Sequence, residues 1–264
     1  MGVIFTYPYR PNDLLKAMNP YRIKIAIFSS LVGLATLLSS CTLDQVNAVL
    51  NDPNYLQLGL RSLLKVSTDT SVKKLSAADG YFRDQLIKIL LPPDAQDLTK
   101  ALQYIGQQQL VDDLVLRLNR GAEAAAVKAT PIFVKAITNI TFNDAINIVN
   151  GTNDTAATQF LRVNTSSALY NAFLPQVDTV LAQPLVAGLS AKESWSQIIN
   201  LYEGVRTSPA NLFLNLRPIN SNLSQYVTQK ALDGLYFKIK GHEQRIRTDV
   251  NLRVTDDIRR LWQR

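Results

Sequence analysis

This 264-residue chain has one cysteine, Cys41, and one histidine, His242. An internal disulfide is therefore excluded, and so is a zinc site built on paired cysteines. A metal centre would have to rest on carboxylates, and the only glutamates are Glu123, Glu193, Glu203 and Glu243. Glycine-rich phosphate loops, the G-x-S-x-G nucleophile elbow and RNA-binding signatures are all missing. We expect no cofactor and no metal. An apolar stretch of the roughly 20 residues needed to cross a bilayer is also lacking. With 47% apolar and 19% charged residues, the composition is that of a folded protein with a substantial core.

The net charge of +7 divides unevenly. Arg10, Lys16, Arg22 and Lys24 against Asp13 place three of the seven charges in residues 1–40. The rest lie in 238–264, where eight Lys and Arg face four acids. Interspersed charges of this kind read as a solvated helix face, with attraction to anionic lipid phosphates as the alternative. No aromatic-basic platform accompanies them, so nucleic acid is not expected as a partner.

What the N-terminus does have is an address. Arg22 and Lys24 precede the apolar core IAIFSSLVGLATLL, 25–38, which has the length of a signal-peptide core. Ser39 and Ser40 then lead to Cys41. Together these resemble the lipobox of bacterial lipoproteins, which implies diacylglycerol on the Cys41 thiol and cleavage before it. Two or three acyl chains hold a protein stably where one does not. Residues 1–17 fit an export signal poorly, and MNPYRIKIAIF makes Met18 the expected initiator. Thr42, rather than Asp, resembles outer-membrane sorting. The expected organisation is a signal peptide over 1–40, a lipidated tether over 41–54 and one domain over 55–264.

Helical periodicity dominates the body of the chain. Apolar residues at 111, 114, 115, 118, 122 and 125 form one helix stripe. Thr130-Pro131 reads as a helix start, Thr141 with Asp144 and Ser190 with Glu193 as capping boxes. Asn150-Gly151 reads as a helix end, with Thr152 or Asn153 starting the next. LIKILLP, 86–92, is the one stretch expected to be extended, and 206–222 a long loop. In the last long element, Leu235, Ile239, His242 and Ile246 share a stripe. The expectation is a single all-α domain of about eight to ten helices.

The phrases LNRGAEAA (118–125), TPIFVKAI (130–137), NDAINIVNGTNDTAATQFLR (143–162), FLPQV (173–177) and YVTQKALDGLYFKI (226–239) stand in one order behind the lipobox. In that order they resemble the bacterial family known as domain of unknown function 4197, over about Tyr55 to Arg260. The resemblance implies no activity. The chain departs from the pattern at Gly121, at His242-Glu243 and in its LWQR ending.

Three groups of polar residues are candidates for chemistry. Asn119, Arg120 and Glu123 lie within one helical turn, just after Asp112 and Asp113; such clusters either link helices or form a site. Arg162, Tyr226, Lys230 and Asp233 supply anion-binding and acid-base groups, with no spacing rule joining them. His242 beside Glu243 is a third group, and the stripe makes His242 a core-edge residue. The leading expectation is a non-enzymatic, lipid-anchored helical protein of the cell envelope that binds a protein partner or an apolar ligand. The alternative is an enzyme using carboxylate and arginine around Glu123 or Glu243. A weaker one is a binder of envelope polymers through the basic C-terminus.

Overall fold

The computed structural model describes residues 53–99, 108–184, 188–209 and 211–262. The signal peptide, Met18, Cys41 and all but the end of the tether lie outside the described residues. The described residues hold nine α-helices and two 3-10 turns and no strand. The helices are α1 (Pro53–Leu75), α2 (Gln108–Ala126), α3 (Ala129–Thr138), α4 (Phe142–Asn150), α5 (Ala156–Ala182), α6 (Ala191–Arg206), α7 (Asn211–Leu214), α8 (Leu223–Thr248) and α9 (Asp256–Leu261). The expected all-α class is what folds. These residues belong to one compact unit, Asn51–Arg264.

The centre is α5. Its buried residues Ala157, Leu161, Thr165, Leu169, Phe173, Val177 and Leu181 recur every fourth position. A row of that spacing turns about 40° per step around the helix, so it winds along α5 as a ridge and does not form a straight stripe. Helices α2 and α8 pack most extensively against it. Val111, Leu114, Val115, Leu118, Ala122 and Ala125 of α2 are all buried, as their spacing requires. Helix α1 packs on α3, α4, α8 and α9. Its Arg61 donates to the carbonyls of Thr138 and Ile140 at 2.7 and 3.0 Å, satisfying acceptors left over at the end of α3.

Local rules set several boundaries. Both capping boxes form, Thr141 with Asp144 and Ser190 with Glu193. Helix α4 ends at Asn150 before Gly151. Two expectations need correction. Helix α3 starts at Ala129 with Lys128 in the capping position and no side-chain bond, so Pro131 sits in the first turn. Only two residues join α2 to α3, and the Lys128 N–H closes that corner on the Ala125 carbonyl; proline fits the first turn because its missing N–H has no partner there. Helix α5 starts at Ala156, later than Thr152 or Asn153, and Thr155 makes no side-chain cap. Its cap comes from elsewhere in the chain, as described below.

Residues 76–92 form turns and irregular chain between α1 and the 3-10 turn Pro93–Ala95. The expected extension of 86–92 is met in part. Residues 86 and 87 are still in a turn, and 88–90 have no regular structure. The side chains nevertheless alternate, Ile87 and Ile89 buried and Leu86 and Leu90 exposed.

Candidate functional site

The candidate residues separate into three places. On α2, Asn119, Arg120 and Glu123 spend their polar atoms on the 79–89 segment. The Asn119 side chain accepts from the Ile89 N–H at 2.9 Å and donates to the Ile89 carbonyl at 2.8 Å. It thereby serves Ile89 as one rung of a sheet partner would, at a position that is itself fully buried. One Glu123 oxygen, Oε1, accepts from the N–H groups of Tyr81 and Phe82 at 3.2 and 3.3 Å. The other, Oε2, takes the Arg120 guanidinium at 2.6 Å. Arg120 reaches onward to Asp79 at 2.7 Å. Asp79 holds a left-handed backbone at φ 65°, unusual for a residue with a Cβ, and is also gripped by Arg83 at 2.8 Å.

The same segment is fastened to α8. The Tyr81 hydroxyl donates to the Ala231 carbonyl at 2.8 Å. Burial, and secondarily the Glu123 charge, push the Tyr81 phenol far above its usual range, so it stays neutral. Gly234 gives that ring room, since a Cβ there would lie 2.8 Å from Tyr81 Cε1. Asp84 pairs with Lys238. Burial pulls the Asp84 carboxyl up, but the bond and charge of Lys238, the Leu86 N–H and Lys74 outweigh it and hold it below its usual value.

The second place is a groove of about 340 Å³ between residues 86–90 and α8. Tyr226, Lys230 and Asp233 line it. Arg162 stands at its edge, paired with Asp233 at 2.7 Å and 5.4 Å over the Tyr236 ring. The rim carries Leu86 (74% exposed), Leu90 (58%) and Phe237 (46%), large apolar side chains left in water. Lys88 and Lys230 lie over the rings of Phe82 and Tyr226 and form no ion pair among the described residues. Thus the structure brings Arg162, Tyr226, Lys230 and Asp233 together and leaves Arg120 and Glu123 behind them in the framework.

The third place is Glu243. It is fully buried and accepts from the N–H groups of Ala157 (3.0 Å) and Thr158 (2.7 Å) and from the Thr158 hydroxyl (2.6 Å). Those N–H groups open α5, so Glu243 is the cap that Thr155 does not supply, placed where the helix dipole favours a negative charge. Arg247 pairs with it at 3.0 Å. His242, on the neighbouring side, is half-buried and bonds to no carboxylate among the described residues. Burial and the cations Arg245, Lys74 and Lys238 lower its pKa, which keeps the ring neutral at physiological pH. The stripe correctly placed His242 at the edge of the core; the glutamate beside it is what occupies the interior. Periodicity did not mark the glutamate, because His242 lies nearer than Glu243 to the line of Leu235, Ile239 and Ile246.

Much of the basic C-terminal stretch is engaged in the fold. Arg247 and Arg253 lie 5.4 and 5.2 Å from the Trp262 ring, Arg260 lies 5.8 Å from Tyr55, and Arg259 pairs with Asp256. Among the described residues no group of three or more His, Cys, Asp or Glu is placed to hold a metal ion. No helix among them is long and apolar enough to cross a membrane.

Residues 51–263 match the model of a family described as a protein of unknown function, DUF4197. The chain belongs to this family. No curated protein and no solved structure matches the chain. The family thus covers every helix described above, together with the groove and both buried glutamates, and leaves the residues before 51 outside it.

Proposed function

We propose that this member of the DUF4197 family is a cell-envelope lipoprotein, anchored through Cys41, whose helical body binds a partner without catalysis. The observation that carries the binding half is the groove beside α8. Its rim exposes Leu86, Leu90 and Phe237, while the carboxylates nearest to an enzyme-like cluster, Glu123 and Glu243, are spent on backbone N–H groups and on arginines of their own helices. Glu243 is saturated in this way and Glu123 accepts three hydrogen bonds, which favours binding over the carboxylate-enzyme alternative. Exposed apolar side chains grouped about a concavity are what a recognition surface requires. The anchor half rests on the basic flank, short apolar core and Ser-Ser-Cys sequence, and Thr42 after the cysteine supports a periplasm-facing outer-membrane location.

Two measurements test the two halves. Cys41→Ser should abolish palmitate labelling and release the protein from membranes; a variant that still labels and sediments with membrane overturns the anchor. A photo-crosslinking residue placed at Leu90 or Phe237 in intact cells should give discrete adducts. The same residue at Val163, 83% exposed on α5, is the control. Equal crosslinking at Val163 and Leu90, or none at either groove position, overturns the groove as a binding face.

A further inference from the structure

We propose that the ligand of the groove is an extended, acidic peptide segment of a partner protein that adds as a strand along residues 88–90. This rests on the reading of the groove as the binding face and names what occupies it. The first ground is the backbone. Asn119 takes both the N–H and the carbonyl of Ile89 from the α2 side. In a chain with alternating side chains, the N–H and carbonyl groups of adjacent residues point to opposite sides. The Leu90 N–H and the Lys88 carbonyl therefore turn away from α2, and neither has a hydrogen-bond partner among the described residues. One side of this short stretch is paired by a side-chain surrogate; on the other the Lys88 N–H is taken by the Asp84 carbonyl at 2.8 Å, and the Lys88 carbonyl and the Leu90 N–H are left for a strand to pair with.

The second ground is what flanks that edge. Across the groove stands α8, presenting Tyr226, Lys230 and Phe237. A peptide lying between the 88–90 edge and α8 would gain main-chain bonds on one side and side-chain contacts on both, the arrangement of strand addition. Leu86 and Leu90 beside Phe237 supply the apolar contacts. The charge of the site sets the sign of the ligand. Asp233 is neutralised by Arg162 at 2.7 Å. Asp94, the other acid whose field reaches Tyr226, is occupied by the N–H groups of Asn220 and Ser221. Lys88 and Lys230 have no carboxylate partner among the described residues, so acidic side chains are the complementary partners. An acyl chain fits this geometry worse, because hydrocarbon over the edge would strip water from the Leu90 N–H and return no acceptor.

The probe is a fluorescein-labelled, C-terminally amidated peptide selected from a random library on the detergent-solubilised full chain. Selected sequences should combine Asp or Glu with Leu, Ile, Val or Phe. Lys230→Glu should weaken binding about tenfold, equivalent to about 1.4 kcal/mol. N-methylation of alternate peptide amides should weaken it by a similar factor, with the intervening amides indifferent, and peptide should slow hydrogen exchange at Leu90. Binding that ignores N-methylation at every position overturns the proposal. So does selection of neutral or basic sequences. A third overturning result is that no peptide binds while 11-(dansylamino)undecanoic acid does and is displaced by Lys230→Glu; that outcome leaves the groove a binding site for amphiphiles. Loss of the groove crosslinks in cells is the separate result that removes both readings.

Discussion

Glu123 and Glu243 occupy two regions of this molecule and perform the same operation with opposite consequences. Each is a buried carboxylate that accepts two consecutive backbone N–H groups and pairs with an arginine on its own helix. Glu243 receives the start of the central helix, so its charge meets the positive end of a dipole and completes the core. Glu123 receives a turn in an irregular segment, and the far side of that segment faces water. Around Glu243 everything polar is consumed inside. Around Glu123 the inner side of residues 79–90 is consumed, and on the outer side the Lys88 carbonyl and the Leu90 N–H have no partner among the described residues. That difference is the reason the proposed binding face lies at the second region.

The contrast is broken most forcefully at Glu243. Glu243→Ala leaves Arg247, only 10% exposed, without its anion and α5 without its cap. Breaking one side of a buried pair costs about 3–5 kcal/mol, and a global loss of that size is expected in urea unfolding. Glu123→Ala should cost less, about 1–3 kcal/mol, because Arg120 is 35% exposed and keeps Asp79. The expected signature there is local: faster hydrogen exchange at Tyr81 and Phe82 with α5 unaffected. Equal global losses in the two variants would show that the irregular segment is as integral to the core as the central helix.

Asp84 tests the same region through pH. Its carboxyl is held below the usual range, so the folded state binds its proton later than the unfolded state does. The stability it contributes is complete above the unfolded value and is lost as pH falls through the lowered folded value. Asp84→Asn should therefore lower stability at neutral pH and flatten its acid dependence in thermal melts. An unchanged acid slope would mean that the Lys238 pair does not fasten the segment.

The sequence carried what is local and little of what crosses the chain. The 111–125 stripe and both capping boxes follow from residues within a few positions of each other, and they are where periodicity and side-chain chemistry put them. The cap of α5 was misplaced because the carboxylate that supplies it lies 86 residues downstream of Ala157. Asn119 read as part of a polar cluster that links helices or forms a site; its bond to Ile89, 30 residues away, becomes visible only in three dimensions. Half of the groove was on the page already, in Tyr226, Lys230 and Asp233. Its other wall was not, since the exposure of Leu86 and Leu90 depends on where Asn119 pins the backbone between them.

The smallest effect concerns Gly121, two residues and about half a turn from both Asn119 and Glu123, where the chain departs from the alanine its resemblance leads one to expect. A glycine in a helix interior costs about 0.8–1 kcal/mol relative to alanine. That cost is justified where a Cβ has no room, as at Gly234 beneath Tyr81. At Gly121 a Cβ would stand 3.6 Å from Val177 Cγ1, an ordinary contact with the α5 ridge. Gly121→Ala should therefore raise stability by somewhat under about 1 kcal/mol, read as an increase in melting temperature. It should leave crosslinking at Leu90 unchanged, because residue 121 touches α5 and not the 79–90 segment. If the variant instead melts lower, the α2–α5 packing has no slack, and α2 can present Asn119 and Glu123 only by approaching α5 as closely as glycine allows.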